Sequence, residues 1–272
     1  MTNKAEDRKK IRELQEERGL FVVKSNSLIE RTRYTLTLEE QRILLYLISK
    51  IKPEDEKLAY QDIEISKYCD VCGIDIKKIP DMYNYIKETI KGLADKSFWI
   101  MLDNGKEILL RWIDTAIAEK QSGVVSVKIK QELIPYLLEV KENYTQYSLL
   151  NVLAMKSKYS PRLYEILRAQ LFRGNYHKEI TYTIKEIQDK LGINEDTSSS
   201  YKNNITMFRK FVIERAIEEI NKYTDIFVSV EYIKKGRSID SIKFIIKELK
   251  FDKAMDNSMR ADIELNERLG LV

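Results

Sequence analysis

The chain has 272 residues, 43% of them apolar, which is enough for two domains of ordinary size each burying its own core and excludes a disordered chain. The charged fraction is 33% and the formal net charge only +4, but the excess is unevenly placed: 25 basic and 25 acidic residues from Met1 to Met155, 19 and 13 from Lys156 to Phe251, and 3 and 5 beyond. A basic second half points to phosphates rather than to a membrane, because no stretch approaches the roughly 18 uninterrupted apolar residues of a spanning helix.

From Thr2 to Arg18 the sequence is a run of mixed charge with no apolar stretch, so neither a secretory signal nor an anchor is expected, and residues 1–23 read as a charged extension of a cytoplasmic protein. Thr37-Leu-Glu-Glu40 is a capping box that opens a helix, and Leu38, Ile43, Leu44, Leu47, Ile48 and Ile51 give it one apolar stripe until Pro53. A second helix is expected from Ser66 to Cys72, ended by Gly73, and a third from Asp81 to Asp95 with Ile86, Ile90 and Leu93 buried. The period then changes to two. Phe98 to Leu102, the turn Asn104-Gly105 and Ile108 to Ile113 read as a hairpin with a type I′ turn, and Val124 to Ile129 as a further strand.

The same order returns after residue 155. Ser160 caps and Pro161 opens a helix to about Phe172, Thr183-Ile-Lys-Glu186 caps a second that ends at Leu191-Gly192-Ile193, and a third spans Thr206 to Tyr223. Strands Ile226 to Ile233 and Ile239 to Ile246 follow, joined through Lys234-Lys-Gly-Arg237. Ile65 to Ile74 and Ile184 to Ile193 superimpose with Asp70 on Asp189 and Gly-Ile at each end. Ile86, Ile90 and Leu93 repeat as Ile213, Ile217 and Ile220. Helix, helix, helix, hairpin is the winged-helix order, so the expected fold is α+β, mostly helical, with two tandem winged-helix domains at 24–150 and 151–250 and a tail at 251–272. Two unrelated small α+β domains are the alternative.

Little in the sequence supports an enzyme. A metal-dependent nicking site needs neighbouring histidines, and the chain has one, His177, expected in a surface turn after Gly174. The sixteen tyrosines lack an activating partner, and no phosphate-cradling G-x-x-x-x-G-K-[ST] occurs. Cys69 and Cys72 are spaced C-x-x-C, but zinc needs two further ligands, so they read as thiols on one helix with Cys72 toward the core, and neither metal nor cofactor is expected. What remains is chemistry that faces DNA. The start of a recognition helix enters the major groove, placing Lys202, Asn203, Asn204, Thr206, Arg209 and Lys210 near base edges and phosphates. Lys234, Lys235 and Arg237 cluster at a wing tip that Gly236 tightens, as solvated charges or as backbone contacts. The third helix of the first unit mixes Lys87, Lys91 and Lys96 with Asp81, Glu88 and Asp95, a poorer reader.

Taken together, Lys24-Ser-Asn-Ser-Leu-Ile29, Ser160-Pro-Arg-Leu-Tyr-Glu-Ile-Leu167, Phe208-Arg-Lys-Phe-Val212, Ala216-Ile-Glu-Glu-Ile-Asn221 and Tyr232-Ile-Lys-Lys-Gly-Arg237 resemble the Rep initiators of iteron-containing, theta-replicating plasmids over about Lys24 to Glu248. The resemblance implies sequence-specific binding of double-stranded origin repeats, origin opening, recruitment of host replication proteins, and a dimer formed largely through the first unit that represses its own promoter. The family's basic cluster maps onto Arg209 and Lys210, while its third position holds Phe211 here. A winged-helix transcription regulator, or an interaction protein with an acidic partner, are the other readings.

Overall fold

One frame occurs twice: a first helix, then a strand that runs directly into a second helix, a third helix, and two antiparallel strands that close on the leading strand. The computed structural model describes all residues except 1–3, 53, 103, 139, 141, 172–175, 195–198 and 272. Pro53, Phe172 and Gly174, used above to end or flank elements, therefore lie outside the described residues. The elements are α1 (Lys4–Arg18), β1 (Phe21–Ser25), α2 (Asn26–Arg31), α3 (Leu38–Ser49), β2 (Tyr60–Glu64), α4 (Ile65–Cys72) and α5 (Met82–Asp95). They continue with β3 (Ser97–Met101), β4 (Glu107–Arg111), β5 (Ile113–Glu119), β6 (Val124–Ile129), α6 (Ile134–Leu137), β7 (Tyr144–Ser148) and α7 (Leu150–Leu153). The second half holds α8 (Ser160–Arg168), β8 (His177–Thr183), α9 (Ile184–Lys190), α10 (Ile205–Met207), a π-helical segment Phe208–Glu214, α11 (Arg215–Tyr223), β9 (Ile226–Lys235), β10 (Ser238–Glu248) and α12 (Phe251–Leu269). Among the described residues no helix is long and apolar enough to cross a membrane.

The repeat is visible in the sheets. Strand orders β2-β6-β5 and β8-β10-β9 are the same arrangement, each with the strand before the second helix paired to the last strand of the unit. Both expected capping boxes form: Thr37 with Glu40 opens α3, and Thr183 with Glu186 opens α9. The fold is α+β, mostly helical, with two tandem winged-helix units.

Four local expectations change. The wing of the first unit is β5 and β6, tipped by Lys120 to Gly123, whereas the expected hairpin at 97–111 is a separate two-stranded sheet. Its Asn104-Gly105 is not a type I′ turn, because Gly105 alone of the two has positive φ (76°), and Leu102 N–H closes on Lys106 O at 2.7 Å. Ser160 is the first helical residue rather than the cap, with its hydroxyl buried and the N-cap at Tyr159. His177 is exposed but begins β8 opposite Lys247, so it sits in a strand and not a turn. In addition, the charged run expected as an extension is a helix, and β1 pairs with β7 across the length of the first unit, Val22 opposite Tyr147.

The two units are joined by buried polar chemistry. Lys24 Nζ lies 2.7 Å from Glu165 Oε1, with side chains 2% and 3% exposed, and Tyr147 donates its hydroxyl to the same oxygen at 2.5 Å. One turn earlier on α8, Arg162 donates through Nη2 to the carbonyls of Ile29 (2.6 Å) and Thr32 (2.9 Å), through Nη1 to Tyr34 Oη (3.3 Å), and lies over the Tyr34 ring at 4.6 Å. Gly192, in the left-handed region at φ 71°, closes the contact: a Cβ there would stand 2.3 Å from Tyr34 O, so only glycine fits. A second tie is α12. Asn257 donates to Thr224 O (2.8 Å) in the second unit, Leu265 sits against Gly73, and Asp262 and Asn266 hold the fully buried Arg18 at 2.6 and 2.7 Å. Glu264 gathers Lys156, Tyr223, Lys222 and Arg268; burial opposes its ionisation, but these four donors outweigh it and hold the carboxyl far below the usual range.

Removing the anion of the first junction is expected to cost more than removing the cation. Glu165→Leu strands the Lys24 ammonium and should lose about 3–5 kcal/mol of stability in urea denaturation. Lys24→Met should lose clearly less, since Tyr147 and Arg162 (3.9 Å) still serve Glu165. Equal losses would show that the pair is not what organises the site.

Candidate nucleic-acid interface

In the second unit the third helix is anchored by an unbroken inner face. Phe208, Val212, Ile213, Ala216 and Ile220 are all fully buried. The π-helical segment between Phe208 and Glu214 accommodates two adjacent buried residues, Val212 and Ile213, by widening one turn. The opposite face is left to solvent, and carries Thr206, Met207, Lys210, Phe211, Glu214, Arg215 and Glu218.

The residues predicted to face DNA fall into three groups. Lys202 and Asn203 are exposed just ahead of the helix, and Thr206 and Lys210 are exposed on it, Lys210 Nζ standing 5.5 Å from the Phe211 ring. Lys234 and Lys235 end β9, and Arg237 follows Gly236 (φ 66°) in a two-residue loop closed by Lys235 opposite Ser238. All three cations are exposed. Gly at the first loop position with positive φ and Arg237 without it is the pattern of a type II′ turn, which suits the twist of the two strands. Among the described residues no ion pair engages Lys202, Lys210, Lys234, Lys235 or Arg237.

Asn204 and Arg209 are committed elsewhere. Asn204 is the N-cap: its Oδ1 accepts from Met207 N–H at 3.0 Å, which turns the amide toward the helix and fixes its orientation. Arg209 turns toward the wing, Nε 3.3 Å from Glu214 Oε1 and the guanidinium 5.6 Å from the Tyr232 ring centre. Tyr232 donates to the same Glu214 oxygen at 3.4 Å, and burial first, then the Glu214 charge, pushes its phenol well up. The sequence pattern passed over Met207 and marked Phe211 only as the residue at the third position of the family's basic cluster. Their signal was present, since both fall outside the buried spacing of the helix.

The first unit is electrostatically quieter. Lys91 pairs with Glu88 (3.9 Å), Lys96 with the buried Glu40, and Lys128 and Lys130 both with Asp114 (3.7 and 3.3 Å). Its wing tip offers only Lys120. Lys87 on the third helix makes no ion pair among the described residues, but basic and acidic residues balance from Met1 to Met155 (25 and 25) against 19 and 13 from Lys156 to Phe251, so the net charge that a phosphate backbone meets lies in the second unit. Elsewhere, Cys69 and Cys72 are both fully buried in α4, and burial pushes their thiols up to about 12 and about 11. Among the described residues no group of three or more His, Cys, Asp or Glu is placed to hold a metal ion.

With this geometry the chain matches the family described as initiator replication protein, WH1, over residues 21–168, and that described as initiator Rep protein, WH2, over residues 183–246. It is 24% identical to a replication initiation protein of Escherichia coli over 250 residues, covering 87% of this chain and 72% of that protein. It is also 27% identical to the PI protein of Escherichia coli over 163 residues, 56% of this chain and 53% of that one. A crystal structure of the Pi initiator protein in complex with iteron DNA shares the fold, with a TM-score of 0.67 at 20% identity over 85% of this chain and 98% of that chain.

The division of labour between the two asparagines is measurable. Asn204→Ala should lower stability by about 1 kcal/mol through loss of the cap, and Asn203→Ala should stay within about 0.5 kcal/mol, as for a neutral surface change. Thermal denaturation of the two variants reads this, and a larger effect at Asn203 would contradict the cap assignment.

Proposed function

Because this chain belongs to the replication initiator family, carrying both of its winged-helix units, we propose that it binds repeated double-stranded DNA sequences at a plasmid origin, opens the origin, and brings host replication proteins to it. The observation that carries the proposal is the second unit's exposed recognition face together with a wing tip whose three cations make no ion pair among the described residues, on the half of the chain that holds the basic excess. Lys202, Asn203, Thr206 and Lys210 face the major groove, and Lys234, Lys235 and Arg237 take the adjoining backbone or minor groove. The Pi initiator, which has the same fold, was crystallised with iteron DNA, and that supports repeats as the target.

The first unit adds a weaker DNA contact and carries self-association, and the dimer represses the initiator's own promoter. Two features support this. A balanced number of basic and acidic residues limits repulsion between two copies, and the separate β3-β4 hairpin exposes Trp99, Met101 and Leu109, each about half accessible (52%, 50% and 50%), with Trp99 directly opposite Leu109. A replicon whose only origin is this gene with its flanking repeats should replicate. Repeat binding without replication would leave a transcription regulator instead.

Base contacts and phosphate contacts fail differently when a cation is removed. On the full chain, Lys210→Ala should cost roughly 1–3 kcal/mol on the native repeat and little on a repeat altered at the contacted base. Lys235→Ala should weaken both repeats equally and lower the salt slope by about one counterion. Titrations at two salt concentrations separate the cases. Lys210→Ala weakening all repeats alike would remove Lys210 from the base-reading set.

A further inference from the structure

The polar side chains at the start of the recognition helix are fewer than the sequence suggests. Asn204 turns its side-chain oxygen to Met207 N–H as the helix cap, and Arg209 is drawn to Glu214 and Tyr232 on the wing side. What stands free in the same two turns is Thr206, Met207, Lys210 and Phe211, of which only Lys210 carries charge. Met207 is 37% exposed and Phe211 45% exposed, although Phe208, Val212, Ile213 and Ile220 on the same helix are fully buried. Met207 and Phe211 are four residues apart, so they lie on neighbouring turns of one face. Lys210 adjoins them, its ammonium 5.5 Å from the Phe211 ring. Phe211 occupies the position at which the family resemblance leads one to expect a third cation.

An exposed phenylalanine and methionine beside one lysine cannot hydrogen-bond a purine edge. In the major groove the one apolar feature of the base pairs is the 5-methyl group of thymine. We infer that Met207 and Phe211, with the methyl of Thr206, form an apolar subsite that reads thymine methyl groups, so that this protein selects its repeat by methyl contact next to a single cationic contact from Lys210. The inference rests on the DNA-binding reading above and deepens it. The repeat it requires has thymines adjacent to the base that Lys210 contacts. Phe211 lines a surface hollow with Tyr159 and Tyr201, and its loss leaves the helix anchored by the fully buried Phe208, Val212 and Ile213.

The test uses the full chain and a duplex of about two helical turns recovered by that chain from a randomised library. Each thymine is replaced in turn by uracil, which deletes the methyl and keeps every hydrogen-bonding group. At one or two positions uracil should weaken binding about fourfold, the value for one buried methyl or methylene. Phe211→Ala should bind the thymine and uracil duplexes alike at one of those positions, and Phe211→Leu should retain part of the difference. Uracil without effect at any position, in a protein that still prefers the selected duplex to a scrambled one, overturns the inference while leaving DNA binding intact. The same holds if Phe211→Ala and Met207→Ala both keep the full uracil penalty. No preference for the selected over the scrambled duplex overturns the DNA-binding reading and this inference with it.

Discussion

The carboxylate of Glu165 is the constraint on which the arrangement of the two units depends. A buried anion is tolerated only when donors surround it, and here they come from both sides of the junction: Lys24 and Tyr147 from the first unit, Arg162 from its own helix. Lys24 and Arg162 are in turn committed by burial, Arg162 placing donors on Ile29, Thr32 and Tyr34. Rotating one unit against the other would strand at least one of these charges without a partner. Apolar packing alone could slide; this contact specifies a single seat. Lys24, Ile29, Arg162 and Glu165 come from the two segments, 24–29 and 160–167, whose patterns resembled the family, so part of that resemblance is the signature of the junction and not of DNA contact.

Charge disposition divides the labour between units that are otherwise built alike. Both have the same sheet order, and both end the second helix at a left-handed glycine, Gly73 and Gly192, with the following isoleucine bonded back to Cys69 and Gln188. The first unit matches its basic residues with as many acidic ones, and Lys91, Lys96, Lys128 and Lys130 pair with Glu88, Glu40 and Asp114. The second leaves Lys202, Lys210, Lys234, Lys235 and Arg237 in solvent. Similar backbone geometry therefore presents two different fields, one suited to contact between proteins and one to a polyanion.

Elements set by local chemistry were legible in the sequence, and elements set by distant partners were not. The capping boxes at Thr37 and Thr183, the glycine stops and the basic wing tip at 234–237 need only neighbouring residues to define them. The wing of the first unit was misplaced because Asn104-Gly105 is a strong local hairpin signal, whereas β5 is largely exposed and is recognised as a wing strand only through its pairing with β6, and β6 with β2. His177 looked like turn for the same reason, since β8 depends on β10. The charged run at the N-terminus gave no periodic apolar stripe because it buries a single leucine, Leu14, together with Arg18, an ionic contact to a helix more than two hundred residues away. At the interface, residue type located the helix and the wing, but not which side chains were free. Asn204 and Arg209 were lost to a cap and to Glu214, contacts that only the folded chain defines.

The two ties between units have a geometric consequence. One lies at Glu165 and Arg162, the other at α12, whose Leu265 and Asp262 seat on the first unit while Asn257 holds the second. A body fastened at one point can swivel; fastened at two, it keeps its phase. For a repeat touched by both units, the angular offset between the contacted grooves is then a property of the protein, and DNA must supply it. One extra base pair between those grooves turns them by about 35°, given roughly 10–10.5 base pairs per turn. Neither tie can follow that turn without exposing a buried charge. Length, and not only base identity, becomes part of what defines the repeat.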